Sequence, residues 1–361
     1  MANWIASFLG VLSVGCFGLA LLYSLLSRLY DQESQFPCGE ITRFARRKGP
    51  IILWDEILVE KINDNELCNL NDLSNNIAVP SGQAKEASFP LYIYEADPKK
   101  SYYRIRNRMT NTSHAIHKIY WKKFGQFIVP LNFNQFTNLW RRSRLIDCLN
   151  MDMHRSSTTK HKWSEPYTLI QMEQLLHHFV KYGMHMVLAE GTLIGWYREC
   201  NFIPHTNDVD FAYMADEYDP AGFEAIVDKK TEFKPKHRFG KHKIDLEWSV
   251  FPSRNVSDPY IDIFELNSNM TNTYYATFRG RTRIKYTFPF LYNPFCAADF
   301  RGHLFWVTCD PDAVLTSSYG DYKIDKPSSK FQYDRDQTNF VKELTYSNEE
   351  WNKDIYKAYK W

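Results

Sequence analysis

The chain has 361 residues, 44% of them hydrophobic and 24% charged, with a formal net charge of +2, a balance that is ordinary for a globular protein and excludes a dedicated nucleic-acid binder. With 15 Gly, 16 Pro and 7 Cys, collagen, a wholly disordered chain and a disulfide scaffold are excluded as well. The length suggests about two domains, and a negative mean hydropathy excludes a multi-span membrane protein.

One apolar run breaks that average. After a short tail (1–3), residues 4–26 read WIASFLGVLSVGCFGLALLYSLL without a charge. As a helix the run would be about 35 Å long, against a hydrocarbon core of about 30 Å. This length, and the absence of Lys or Arg before it, favours a single-pass transmembrane anchor over a buried core helix or a cleaved signal peptide. Arg28, Arg43, Arg46, Arg47 and Lys48 follow the run, and the positive-inside rule would place the body in the cytosol. The sequons at Asn111, Asn255 and Asn269 argue instead for a luminal body. Six Cys lie outside the span, an even number compatible with disulfides but silent on their pairing.

Residues 27–163 read as a stem: a polar segment to about residue 50, then an α/β stem domain of short apolar runs (Ile51–Trp54, Pro90–Tyr94, Phe127–Leu131) divided by Asn- and Pro-containing turns. The basic, aromatic stretch Lys99–Lys123 is read as a solvated face with its rings turned inward, ahead of the alternative of a surface for an acidic ligand.

Residues 164–361 carry the sharper pattern. Pro166 fits a first helical turn, and Leu169, Met172, Leu176, Phe179 and Val180 share one helical face ending at Gly183 as C′ stop. An apolar strand over Met184–Ala189 is expected next, then a Gly-Thr turn at Gly191 and Thr192 opening a short helix with Trp196 and Tyr197. Further strands are predicted at Val209–Tyr213, from Ile244 to Val250 and from Tyr260 to Leu266. Arg279, Arg281, Arg283 and Lys285 alternate and are expected on one strand face, either drawing an anionic glycan or donor or simply solvated.

The chemistry lies in three carboxylates. Asp208 and Asp210, spaced i, i+2 at a strand start, project to the same side and repel each other unless a cation lies between them. Asp262 sits in the apolar setting Tyr-Ile-Asp-Ile-Phe, where an unpartnered carboxylate is expensive. An oxygen-rich cluster of this kind suits Mg²⁺ or Mn²⁺ holding a substrate's phosphates. Backbone N–H groups after Gly191 and Thr192 are candidates to receive a phosphate.

The segment Gly191–Asp210, GTLIGWYRECNFIPHTNDVD, resembles the signature of the LicD/fukutin family of nucleotidyltransferases. Gly191, Thr192, Gly195, Arg198, Phe202, Ile203, Pro204, Asp208 and Asp210 match its LicD form. Lys236–Gly240, Leu246-Glu247, Ile261-Asp262, Lys285–Pro289 and Tyr319-Gly320 match its fukutin form in order. Thr206 and Asn207 depart from the acidic pair of bacterial members, leaving Asp208, Asp210 and Asp262 as the smallest metal set, with Asn207 as a neutral oxygen donor.

The resemblance implies an α+β fold, a polymerase-β-type nucleotidyltransferase catalytic domain with a mixed sheet. It also implies a type II Golgi or ER membrane protein with a luminal body that transfers an alditol phosphate, ribitol 5-phosphate from CDP-ribitol or a related CDP-alditol, to a glycoprotein glycan. The expected partners are that donor, that acceptor, the membrane and other Golgi glycosyltransferases. Asp208, Asp210 and Asp262 are the expected catalytic and metal residues, and Gly191, Thr192, Arg198, His205, Arg283 and Lys285 the expected substrate contacts. Arg198 has an equal reading as a structural ion pair, and His205 as a capping or packing residue. Two other functions compete: a type II nucleotide-sugar glycosyltransferase using Asp208-Val-Asp210, and a non-catalytic scaffold of the secretory pathway.

Overall fold

The computed structural model describes residues 52–54, 77–81, 92–124, 127–156, 159–252, 259–289, 295–326 and 331–360. The expected anchor over 4–26, Cys38, Cys68 and Asn255 lie outside them. Among the described residues no helix is long and apolar enough to cross a membrane. The chain divides into two compact units, one running to Glu95 with Asn107–Met109 and Ile119–Thr137, the other taking Ala96–Arg106, Thr110–Lys118 and Asn138 onward.

In the first unit, strands β1 (Ile52–Trp54), β2 (Ile77–Pro80) and β3 (Tyr92–Glu95) run parallel. A hairpin of β6 (Trp121–Phe124) and β7 (Phe127–Pro130) joins β1 antiparallel. Ala78 and Val79 are fully buried there.

The second unit contains the hairpin β4 (Tyr102–Asn107) and β5 (Ser113–His117) and a large mixed sheet. Along that sheet the strands succeed one another as β18 (Phe340–Thr345), β15 (Thr282–Pro289), β14 (Asn272–Arg279), β13 (Tyr260–Ser268), β10 (Asp208–Met214), β9 (Val187–Leu188), β17 (His303–Val307), β16 (Cys296–Phe300) and β8 (Leu145–Ile146). A branch of β12 (Glu247–Phe251), β11 (Lys234–Phe239) and β19 (Tyr356–Ala358) leaves from β13. The fold is therefore α+β with mixed sheets. Strand β10 is buried on both faces after its first residue, with Asp210 set among the apolar Val209, Phe211, Ala212, Tyr213 and Met214. That is the pattern of a strand with neighbours and cover on every side, and it runs parallel to β13 over its whole length.

Helix α1 (Glu165–Val180) buries the predicted stripe Leu169, Met172, Leu176, Phe179 and Val180. Gly183 does not sit at C′: the helix stops at Val180, Lys181 keeps right-handed helical angles, and Gly183 takes φ +75° in the turn that follows. Only Val187–Leu188 of the expected strand over 184–189 is laddered, although Met184 and Met186 are buried. Helix α2 (Glu190–Glu199) carries the Gly-Thr pair. A Cβ on Gly195 would meet the Asn201 carbonyl at 2.5 Å and the Ile203 nitrogen at 3.0 Å. The matched Gly195 thus lets the following loop fold back against α2.

Two strand expectations need correction. Ile244 lies 48% exposed outside β12. The Lys241 N–H donates to the Asp245 carboxylate at 2.8 Å and folds the segment into a turn. Arg279, Arg281, Arg283 and Lys285 do not share one strand face. Arg279 ends β14, Gly280 turns at φ +58°, and Arg283 and Lys285 fall on β15. Period two cannot show where a hairpin interrupts it.

Cys148 is bonded to Cys200 and Cys296 to Cys309. The first bond ties the chain after β8 to the end of α2; the second closes the β16–β17 hairpin.

Candidate active site

Asp208 and Asp210 open β10 two residues apart, so both project to one side. The neighbouring parallel strand β13 places Asp262 as the direct Cα partner of Asp210. One carboxylate oxygen from each of the three lies within 4.8 Å of the others. Burial is the main force on two of them. It pushes the Asp210 carboxyl well above the usual range, with Asp208, Asp262 and Glu190 adding repulsion. It pushes Asp262 up to about 7, reinforced by Asp208 and opposed by Ser249 and Lys236.

Each acid is aimed by specific contacts. Asp208 accepts from Thr206 Oγ1 at 2.8 Å and from the Tyr260 hydroxyl at 3.3 Å. The Asp210 N–H donates to Thr192 Oγ1 at 2.9 Å, which locks the start of α2 to β10. A Cβ on Gly191 would lie 3.4 Å from Asp210 Oδ2, so the helix start is pressed against the carboxylates. The first-turn N–H groups of any helix have no intrahelical carbonyl, and they favour negative charge nearby. Ser249 Oγ donates to Asp262 Oδ1 and lies 2.7 Å from His237 Nε2. Lys236 Nζ sits 3.2 Å from the centroid of the Tyr260 ring. Burial lowers the pKa of that ammonium, and Asp262 and Asp208 oppose the drop.

These groups, Thr192 and Ser249 excepted, line a cavity of about 720 Å³, within the usual range for a small-molecule site. Gly191, Arg198, His205, Asn207, Asp208, Asp210 and Asp262 all border it; Arg283 and Lys285 do not. Arg283 is instead paired with Asp245 and Glu343, and Lys285 lies 4.1 Å over the Tyr274 ring. Arg198 is 3% exposed. Its guanidinium bonds Glu199 at 2.7 Å and the carbonyls of Tyr322 and Ile324 at 3.0 and 3.4 Å. Those contacts match the structural alternative, an arginine that braces the 322–325 wall. Asn207 accepts from Lys162 Nζ at 2.6 Å. Burial lowers the pKa of the His205 imidazole, and Asp325 opposes the drop.

Glu190, His237 and Glu247 also line the cavity, and the sequence reading gave none of them a site role. Glu190 is pushed upward by burial and accepts from Tyr319 and Gln337. It also holds φ +42°, a strained value for a side-chain-bearing residue. Its position just before the Gly-Thr pair was the available signal. His237 and Glu247 approach Asp262 from β11 and β12, a convergence that no local spacing encodes.

The donor set fits a hard divalent cation. Three acidic oxygens meet where burial raises the cost of their charge, and an all-oxygen cluster is what Mg²⁺ or Mn²⁺ prefers over softer metals.

Comparison with known proteins agrees with this geometry. Residues 183–310 match the family described as LicD/FKTN/FKRP, nucleotidyltransferase domain, and residues 37–147 match that described as W02B3.4-like, N-terminal domain. The chain is 28% identical over 342 residues to the uncharacterized protein W02B3.4 of Caenorhabditis elegans, covering 90% of this chain and 85% of that one. It is 32% identical over 217 residues to T07A5.1 of the same organism, 58% and 56% of the two chains. It is 27% identical over 176 residues to human ribitol-5-phosphate transferase FKTN, 48% of this chain but only 37% of that protein. The chain thus resembles the LicD/fukutin family across the stretch that builds the carboxylate cluster. That resemblance suggests a transferase domain of the phosphotransferase type.

Proposed function

We propose that this chain is a divalent-metal-dependent phosphotransferase that moves an alditol phosphate, ribitol 5-phosphate from CDP-ribitol, onto a glycoprotein glycan. In this reading segment 4–26 anchors it in the Golgi or ER membrane with its body in the lumen, among other glycosyltransferases. The observation that carries the reading is the meeting of Asp208, Asp210 and Asp262 across two parallel strands, within 4.8 Å. The named activity of FKTN supplies the transferred group, and the family resemblance supplies the CDP-linked donor.

Asp208, Asp210 and Asp262 would hold the cation. Bound there, Mg²⁺ or Mn²⁺ supplies Lewis-acid neutralisation of the donor's diphosphate charge. Transfer joins an acceptor hydroxyl oxygen to the alditol phosphorus and breaks the phosphorus–oxygen bond to CMP. The hydroxyl proton needs an acceptor, and Asp262, on the metal side of the cluster, offers a carboxylate oxygen for it. Lys236, beside Asp262 and Asp208, offers positive charge to the departing CMP. Glu190 and Thr192 set the start of α2 against the phosphate side of the cavity. Arg198 acts through the wall it braces rather than by touching the donor.

The test is a donor screen on the full chain purified from secretory cells. CDP-ribitol, CDP-glycerol and UDP-sugars are offered with Mn²⁺ and a glycoprotein acceptor, and release of CMP or of UDP is measured. Turnover of a CDP-alditol, abolished in Asp262→Asn, is expected. Turnover of UDP-sugars alone would make the chain a glycosyltransferase and end this proposal. The luminal placement predicts sugar at Asn111 and Asn269, both exposed. A glycosidase mass shift that persists in the Asn111→Gln, Asn269→Gln double variant must come from Asn255; no shift in the parent protein would refute it.

A further inference from the structure

A second cluster of ligating side chains lies in the same unit and shares no residue with the carboxylate site or its cavity lining. Glu173 and His177 are four residues apart on α1, hence on one face one turn apart. His117 ends strand β5 and is 1% exposed. One ligand atom from each of the three lies within 4.8 Å of the others.

We propose that His117, Glu173 and His177 bind a zinc-class divalent cation that fastens the β4–β5 hairpin to helix α1. His117 Nδ1 lies 3.3 Å from Glu173 Oε1 and 3.1 Å from His177 Nε2. A tetrahedral ion with bonds of about 2.0–2.1 Å spaces its ligands by about 3.3–3.4 Å, so the two measured separations are nearly those of a tetrahedron's edges. The two imidazoles are nearly perpendicular, at 83° with centroids 4.5 Å apart. A single proton on His117 Nδ1 can be given fully to the carboxylate or to the other imidazole; one cation serves both at once.

The surroundings are those of a supported site. His303 Nδ1 lies 2.9 Å from the second oxygen of Glu173, and Ser101 Oγ donates to the first. Partners of this kind orient a ligating carboxylate. Two imidazoles and one carboxylate suit zinc, whereas the all-oxygen Asp208–Asp210–Asp262 set suits magnesium or manganese. Three protein ligands leave a fourth position for water. The cation would link β5 to α1 directly, and β17 through His303.

The experiment uses the full chain purified without chelators and dialysed against excess Mg²⁺. About one zinc per chain, the stoichiometry of a single such site, is expected by elemental analysis. It should persist in Asp208→Asn and Asp262→Asn and be lost in His177→Ala. Exchange with Co²⁺ should give the intense visible bands of a tetrahedral site in the parent protein and in Asp262→Asn, and none in His177→Ala. Stripping zinc should lower the melting temperature of the parent. If the parent holds no zinc and cobalt gives no tetrahedral bands, the cluster is a hydrogen-bond network and the proposal fails. It fails equally if zinc survives in a folded His177→Ala protein. Should His177→Ala not fold, the cobalt spectrum of Asp262→Asn decides, because that variant lacks the His237–Glu247–Asp262 set. Loss of CDP-alditol turnover leaves this readout untouched, so the two proposals fail separately.

Discussion

Asp210 and Asp262 stand side by side as Cα partners on adjacent parallel strands, both pushed toward the protonated form by burial. Neither position gains from a negative charge unless a cation answers it. Asparagine at either position should therefore cut transfer on the order of a hundredfold or more, as expected when preorganised charge stabilisation is removed. The same variants should melt no lower than the parent in EDTA and should lose the rise in melting temperature that Mn²⁺ gives the parent. Calorimetry with and without metal checks both; a large drop in the metal-free melting temperature would contradict the like-charge reading.

The pH dependence of the metal-free protein follows from Asp262. Its pKa is about 7 when folded and about 3.9 when unfolded. Between those values the native state binds the proton more tightly, so stability falls as pH rises from about 4 to about 7. Denaturant titrations in EDTA should show this decline and a flatter profile in Asp262→Asn.

Arg198 is buried in an ion pair with Glu199 and caps two carbonyls. Arg198→Ala should cost about 2 kcal/mol, since it leaves the buried Tyr322 carbonyl without its donor while Glu199 keeps Arg155. Its KM for a CDP-alditol, measured below the melting transition, should change little. A selective rise in KM with full stability would return Arg198 to donor binding.

The two disulfides close loops of different length, 52 residues for Cys148–Cys200 and 13 for Cys296–Cys309. Loop-closure entropy predicts a loss of about 4 kcal/mol for the first and about 3 kcal/mol for the second. Paired Cys→Ser variants compared by denaturant unfolding test the order.

The local signals in the chain determined much of this protein. The period of 3.6 exposed the buried stripe of α1, and the period of two set Asp208 and Asp210 to one side. The Gly-Thr pair marked the helix start against which the acids sit. Such features depend only on neighbours within a turn or a strand. Tertiary structure decided what lies across from them. Parallel register brought Asp262 to Asp210, although 52 residues separate them in the chain. The turn at Gly280 took Arg283 and Lys285 away from the cavity and gave them to Asp245 and Glu343. Burial turned Arg198 into a brace and made Glu190 a strained cavity wall. The pair Glu173–His177 was visible as an i, i+4 spacing on α1, but only the arrival of β5 supplied His117. Spacing fixes a side chain's direction along its own element; which group meets it is settled by sheet register and packing between elements, and these follow from long-range contacts.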